Sequence, residues 1–113
     1  MRGCYLLFLK FYEPKVVKVG RLGELEFYGC YVYVGSGMNN VIKRVERHFR
    51  REKALRWHID YLTVVADEMH ALVIPSDVKI ECELARFFAT HFEGVKDFGC
   101  SDCDCYSHLF HLR

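Results

Sequence analysis

The stretch YVYVGSGMNNVIKRVERHFR, residues 31–50, opens as an apolar strand, turns through two glycines and runs into a helix crowded with arginine. Alternation puts Tyr31, Tyr33 and Gly35 on one face of that strand and Val32 and Val34 on the other. Asn39 or Asn40 is placed to cap the helix. Its expected apolar stripe is Val41, Ile42, Val45 and Phe49, with fraying near Lys53.

A strand of this kind needs partners, and the flanking sequence supplies them. CYLLFLKF (residues 4–11) is apolar on both faces, as a strand covered on both sides would be. KVVKVGRLGELEF (15–27) offers two alternating runs around Gly-Arg-Leu-Gly, an additional hairpin after the first strand. WHIDYLTVV (57–65) alternates and is rich in β-branched and aromatic residues, which predicts a strand with His58 and Asp60 on one face. HALVIP (70–75) predicts a further strand stopped by Pro75. Between residues 79 and 92, Ile80, Leu84, Phe87 and Phe88 recur at helical spacing. The tail GCSDCDCYSHLFHLR reads as a cysteine-rich turn and a short strand. The expectation is an α+β fold, a single domain over residues 1–113: a small, largely antiparallel sheet flanked by two main helices.

Composition agrees. The chain has 113 residues, 51% of them hydrophobic, with nine Phe and seven Tyr, enough to build a core without disulfides. Repeats, low-complexity tracts and membrane spans are missing from the pattern. Lys10 interrupts the first apolar run before it is long enough for a secretion signal, which points to the cytoplasm and to six cysteines acting as thiols or metal ligands.

The net charge is only +1, yet Lys43, Arg44, Arg47, Arg50, Arg51, Lys53 and Arg56 crowd one segment against Glu46 and Glu52. Such a patch would neutralise phosphates, so nucleic acid, DNA foremost, is the expected partner. The alternative is a solvated face whose arginines pair with carboxylates. Arg44 and His48, four residues apart, share one flank of the helix just beyond Tyr33. An arginine, an imidazole and a phenol converging on one phosphate suit phosphodiester cleavage, which needs a proton acceptor and positive charge around the transition state.

The motifs Gly3-Cys4-Tyr5 and Tyr33-Val34-Gly35, then Arg44, His48 and Glu81, resemble in order and kind the GIY-YIG nucleases. GCYVYVGS, HIDYL, Glu81-Cys82-Glu83-Leu84-Ala85 and the terminal SDCDCYSHLF are similar to the small standalone proteins of the Uri superfamily. Cysteine and valine replace the two motif isoleucines, the Tyr5–Tyr33 gap is long, and the asparagine that often closes the nuclease fold is not recognisable. The resemblance implies an endonuclease in which Tyr5 takes a proton from water, Tyr33 positions the phosphate and Arg44 grips its oxygens. His48 would be a hydrogen-bond partner or proton donor. Glu81, preferred over Glu83, would hold one Mg²⁺ or Mn²⁺. A lone site leaves a dimer open as a way to cut both strands.

Two other features carry ligand chemistry. His58 and Asp60 are expected to form a buried hydrogen-bonded pair or, alternatively, a metal site. Cys100, Cys103, Cys105 and His108 suit zinc, with Cys82 or His111 as further candidates. The Cys103-x-Cys105 spacing is not that of a usual zinc knuckle, so a thiol-lined, hydrogen-bonded turn is preferred to structural zinc. A disulfide from Cys82 to the tail is a third reading. Beside the nuclease stand two rival functions: a nucleic-acid-binding module with little activity, and a zinc-stabilised structural domain.

Overall fold

A computed structural model describes residues 1–100 and 103–113. Ser101 and Asp102 of the SDCDCYSHLF tail lie outside the described residues. In chain order the elements are β1 (Gly3–Lys18), a 3-10 turn (Gly20–Leu22), β2 (Glu24–Gly37), α1 (Val41–His48), α2 (His58–Thr63), β3 (Glu68–Pro75), α3 (Glu81–Ala89), β4 (Glu93–Gly94) and β5 (Leu109–His111). The strands form one antiparallel sheet in the order β3-β1-β2-β5-β4.

The hairpin expected around Gly20 is not an added unit. It is the far end of one long β1–β2 ribbon, whose register slips between Phe11 and Lys15. Pro14, which cannot donate to a ladder, lies in that slip, and β3 stops pairing with β1 at Lys10.

The period-2 pattern sorts the sheet into two faces. Tyr5, Leu7, Leu9 and Phe11 of β1 join Tyr31 of β2 in a core closed by Val41, Ile59 and Leu62 of the first two helices. On the reverse face Leu6, Val32 and Val34 meet Phe110 and Ala85 of α3. The architecture is therefore α+β, with α1 and α2 on one face and α3 on the other.

Three local expectations are corrected. WHIDYLTVV is not a strand: its centre is the helix α2, and Ile59, Leu62 and Ala66 bury at helical spacing. Asp60 starts it by accepting the backbone N–H groups of Arg56 (2.8 Å) and Trp57 (3.0 Å), a capping interaction that outweighs β propensity. Second, α1 ends at His48, because Lys53 Nζ turns back to donate to the carbonyls of Arg47 and His48, both at 3.0 Å. Third, Ile42 and Phe49 are exposed, and the inward stripe is the buried Val41 and His48 with Val45 partly buried between them. Asn40 does cap α1, accepting from Lys43 N at 3.1 Å. On α3, Leu84 and Phe88 pack on the sheet while Phe87 faces outward. No helix of the described residues is long and apolar enough to cross a membrane.

Candidate functional site

Antiparallel pairing brings the start of β1 beside the end of β2, with Tyr5 opposite Gly35. At this end of the sheet opens a pocket of about 500 Å³, lined by Tyr5, Tyr33, Gly35, Ser36, Met38, Asn39, Arg44, Arg56, Trp57, His58, Lys79, Glu81 and Gly99. Four of the five residues singled out for catalysis or metal binding thus share one cavity, supplied by β1, β2, α1 and α3.

His48 is the exception. It lies behind the pocket, fully buried, with Nε2 2.5 Å from the Tyr5 hydroxyl. Burial, aided by Lys53, lowers its pKa to about 3, so its imidazole is neutral in the folded protein. Its Nδ1 is buried without a hydrogen-bond partner among the described residues. Burial and the neighbouring Tyr33 push the Tyr5 phenol well above its usual pKa; Arg44 acts in the opposite direction but is outweighed. Tyr33 is likewise raised, by burial and by Glu81. Both phenols are therefore protonated at neutral pH. The tyrosine rings sit 6.3 Å apart, and the absence of a side chain at Gly35 makes room for the Tyr5 ring.

Glu81 begins α3 and faces the pocket. Its Oε1 accepts from Ser36 Oγ at 2.8 Å and pairs with Lys79 Nζ at 3.1 Å. Glu83 is exposed and outside the pocket lining, so the structure separates the two glutamates. With Arg44, Arg56 and Lys79 against one carboxylate, the lining is net basic.

The six residues expected to contact nucleic acid divide. Arg47 makes a two-pronged ion pair with the fully buried Asp60, at 2.7 and 3.1 Å. Arg51 donates to the carbonyls of Thr63 (3.0 Å) and Ala66 (2.6 Å), and Lys53 closes α1. These three brace the fold, although Arg51 is itself exposed. Lys43 and Arg50 are exposed, and Arg56 is on the pocket wall.

The expected His58–Asp60 pair does not form: His58 Nδ1 accepts from Gly99 N at 2.9 Å, while Asp60 binds Arg47. Burial pushes the Asp60 carboxyl up, but Arg47 and two backbone N–H groups reverse this and hold it below the ordinary carboxylate range.

Trp57 is a pocket residue the sequence reading missed. The guanidinium carbons of Arg44 and Arg47 each lie 4.6 Å from its ring. An aromatic next to an arginine-rich helix was the available signal.

In the tail, Cys82, Cys103, Cys105 and His108 form a group able to hold a metal ion, their ligand atoms all within 4.8 Å of one another. Soft sulfur donors favour zinc there over magnesium. Cys82 takes the place expected for Cys100, whose thiol is 3.4 Å from the Phe98 carbonyl.

No curated protein and no solved structure matches the chain. A family model described as a domain of unknown function, DUF123, matches residues 4–113, nearly the whole length, and the chain belongs to that family.

Proposed function

We propose that the protein is a metal-dependent endonuclease of GIY-YIG type, nearest the Uri branch, that hydrolyses phosphodiester bonds in nucleic acid, DNA first among its substrates. The observation that carries this reading is the meeting of Tyr5, Tyr33, Arg44 and Glu81, remote in sequence, around one net-basic cavity. A phosphate there would find the planar fork of Arg44 and the ammonium of Lys79. Tyr33 would donate a hydrogen bond that orients a phosphate oxygen or the attacking water.

Neutral His48 is hydrogen-bonded through Nε2 to the Tyr5 hydroxyl and so fixes the phenol's place at the cavity wall. His48 is thus a positioning residue, one step removed from substrate. The raised pKa keeps Tyr5 protonated, so it can take a proton from water only after giving up its own to solvent, a loss that a cation in the cavity would favour.

The donors fit a hard cation. The Glu81 carboxylate on the pocket wall is an oxygen ligand of the type Mg²⁺ or Mn²⁺ accepts when water and phosphate complete its shell. Such an ion would supply charge stabilisation of the departing oxygen. Glu81 would hold it, and Ser36 would orient Glu81.

The test is cleavage of labelled single-stranded, duplex and branched DNA, and of RNA, with Mg²⁺ or Mn²⁺. Tyr5→Phe, Arg44→Ala and Glu81→Ala are each expected to lower the rate by about a hundredfold or more. Arg44→Ala should retain binding through Lys43, Arg50 and Arg56. Wild-type protein that binds these nucleic acids but cuts none of them would replace this reading with that of a binding module.

A further inference from the structure

Beside Glu81, whose Oε2 lies 3.8 Å from His108 Nδ1, three thiols and an imidazole converge from two places in the chain. Cys82 is the second residue of α3; Cys103 and Cys105 lie in the loop before β5, and His108 immediately precedes that strand. We infer that Cys82, Cys103, Cys105 and His108 coordinate one structural zinc ion that clamps the start of α3 to the C-terminal strand. This inference stands apart from the nuclease reading.

Three observations carry it. The first is size. Tetrahedral zinc with Zn–S bonds of about 2.3 Å requires sulfurs about 3.8 Å apart. The group already lies within 4.8 Å, so a contraction of about 1 Å closes it. The second is composition, since three cysteines and one histidine make a complete four-ligand set with no position left for water, the hallmark of structural rather than catalytic zinc.

The third is the histidine's orientation. His108 is 2% exposed, and its Nδ1 lies 3.1 Å from the Val34 carbonyl. A carbonyl can only accept, so Nδ1 carries the hydrogen. Nε2 is left with its lone pair directed at Cys103 Sγ, 3.3 Å away. That is the tautomer a metal-ligating imidazole adopts when its other nitrogen is held by the backbone.

A disulfide explains the group less well. Oxidising any two of its three thiols leaves a third thiol and the oriented imidazole without a role. Zinc uses all four: as it binds, the thiol protons pass to solvent and the thiolates and Nε2 donate their lone pairs to the ion. The clamp also suits its location. β4 has two residues and β5 three, so ladder hydrogen bonds alone hold this edge weakly.

The experiment is elemental analysis of protein purified without chelator, followed by zinc removal under reducing conditions and titration with Co²⁺. One zinc per chain is expected, and Co²⁺ should give intense thiolate-to-metal absorption with tetrahedral ligand-field bands. Cys82→Ser and Cys103→Ser should lose the metal; Cys100→Ser and Cys30→Ser should keep it. Should the ligand variants fail to fold, alkylation of wild-type protein decides. With zinc bound, Cys82, Cys103 and Cys105 should be labelled at least about tenfold more slowly than after its removal, and Cys30, outside the cluster, at an unchanged rate. Absence of zinc together with no cobalt–thiolate absorption would overturn the assignment. So would a Cys82–tail disulfide in freshly purified protein, or metal retained by Cys82→Ser but lost by Cys100→Ser.

Discussion

A methyl group at residue 35 would decide whether the pocket forms. A Cβ there would overlap the Tyr5 ring, and Tyr5 is otherwise locked by packing and by His48. Gly35→Ala is expected to destabilise the protein by about 1–3 kcal/mol and to displace the phenol, so that any cleavage should fall as is proposed for Tyr5→Phe. Urea denaturation indistinguishable from wild type would mean that the two residues do not meet. At this scale the order Tyr5, Tyr33, Arg44, Glu81 was legible from the sequence. The engagement of Arg47, Arg51 and Lys53 was not, because their partners are backbone carbonyls and one carboxylate that only folding brings near.

Among the elements, α2 departed most from its sequence pattern. Val64, Val65 and the aromatics Trp57 and Tyr61 carry β propensity, but Asp60 accepts from two backbone N–H groups and Arg47 reaches it from α1. The Ile59–Leu62–Ala66 spacing was a helical signal overlaid by alternation. Asp60 thereby joins α1, α2 and the segment between them through one buried carboxylate. Asp60→Ala leaves the Arg47 guanidinium without its charge partner and two N–H groups without an acceptor, and should cost about 3–5 kcal/mol in a denaturant titration. A loss below about 1 kcal/mol, the range of an exposed ion pair, would show that the network does not hold these helices together.

For the whole molecule, buried histidine links folding to pH. His48 stays neutral in the folded protein down to about pH 3, whereas in the unfolded chain it takes up a proton near its ordinary 6.5. Between those values the unfolded state binds more protons, so stability is lost as pH falls below about 6.5. One such group contributes up to about 1.4 kcal/mol per pH unit. Burial lowers His58 in the same direction, and the depressed Asp60 adds a further loss at more acidic pH. Urea midpoints should therefore drop from pH 7 to 4.5, with a shallower slope in His48→Gln than in wild type. Equal slopes would show that His48 titrates as it does in the unfolded chain.

The sequence by itself determined the α+β class, the opposed faces of Tyr33 and Val34, the capped basic helix and the succession of candidate residues that line the pocket. Those properties follow from local periodicity, turn chemistry and the reach of a side chain to its neighbours in the chain. Tertiary structure alone decided that His48 lies behind Tyr5, that Asp60 pairs with Arg47 rather than His58, and that Cys82 replaces Cys100 among the clustered thiols. Each is a contact between segments far apart in sequence, set by how two faces of one sheet are covered, and no local pattern encodes that distance.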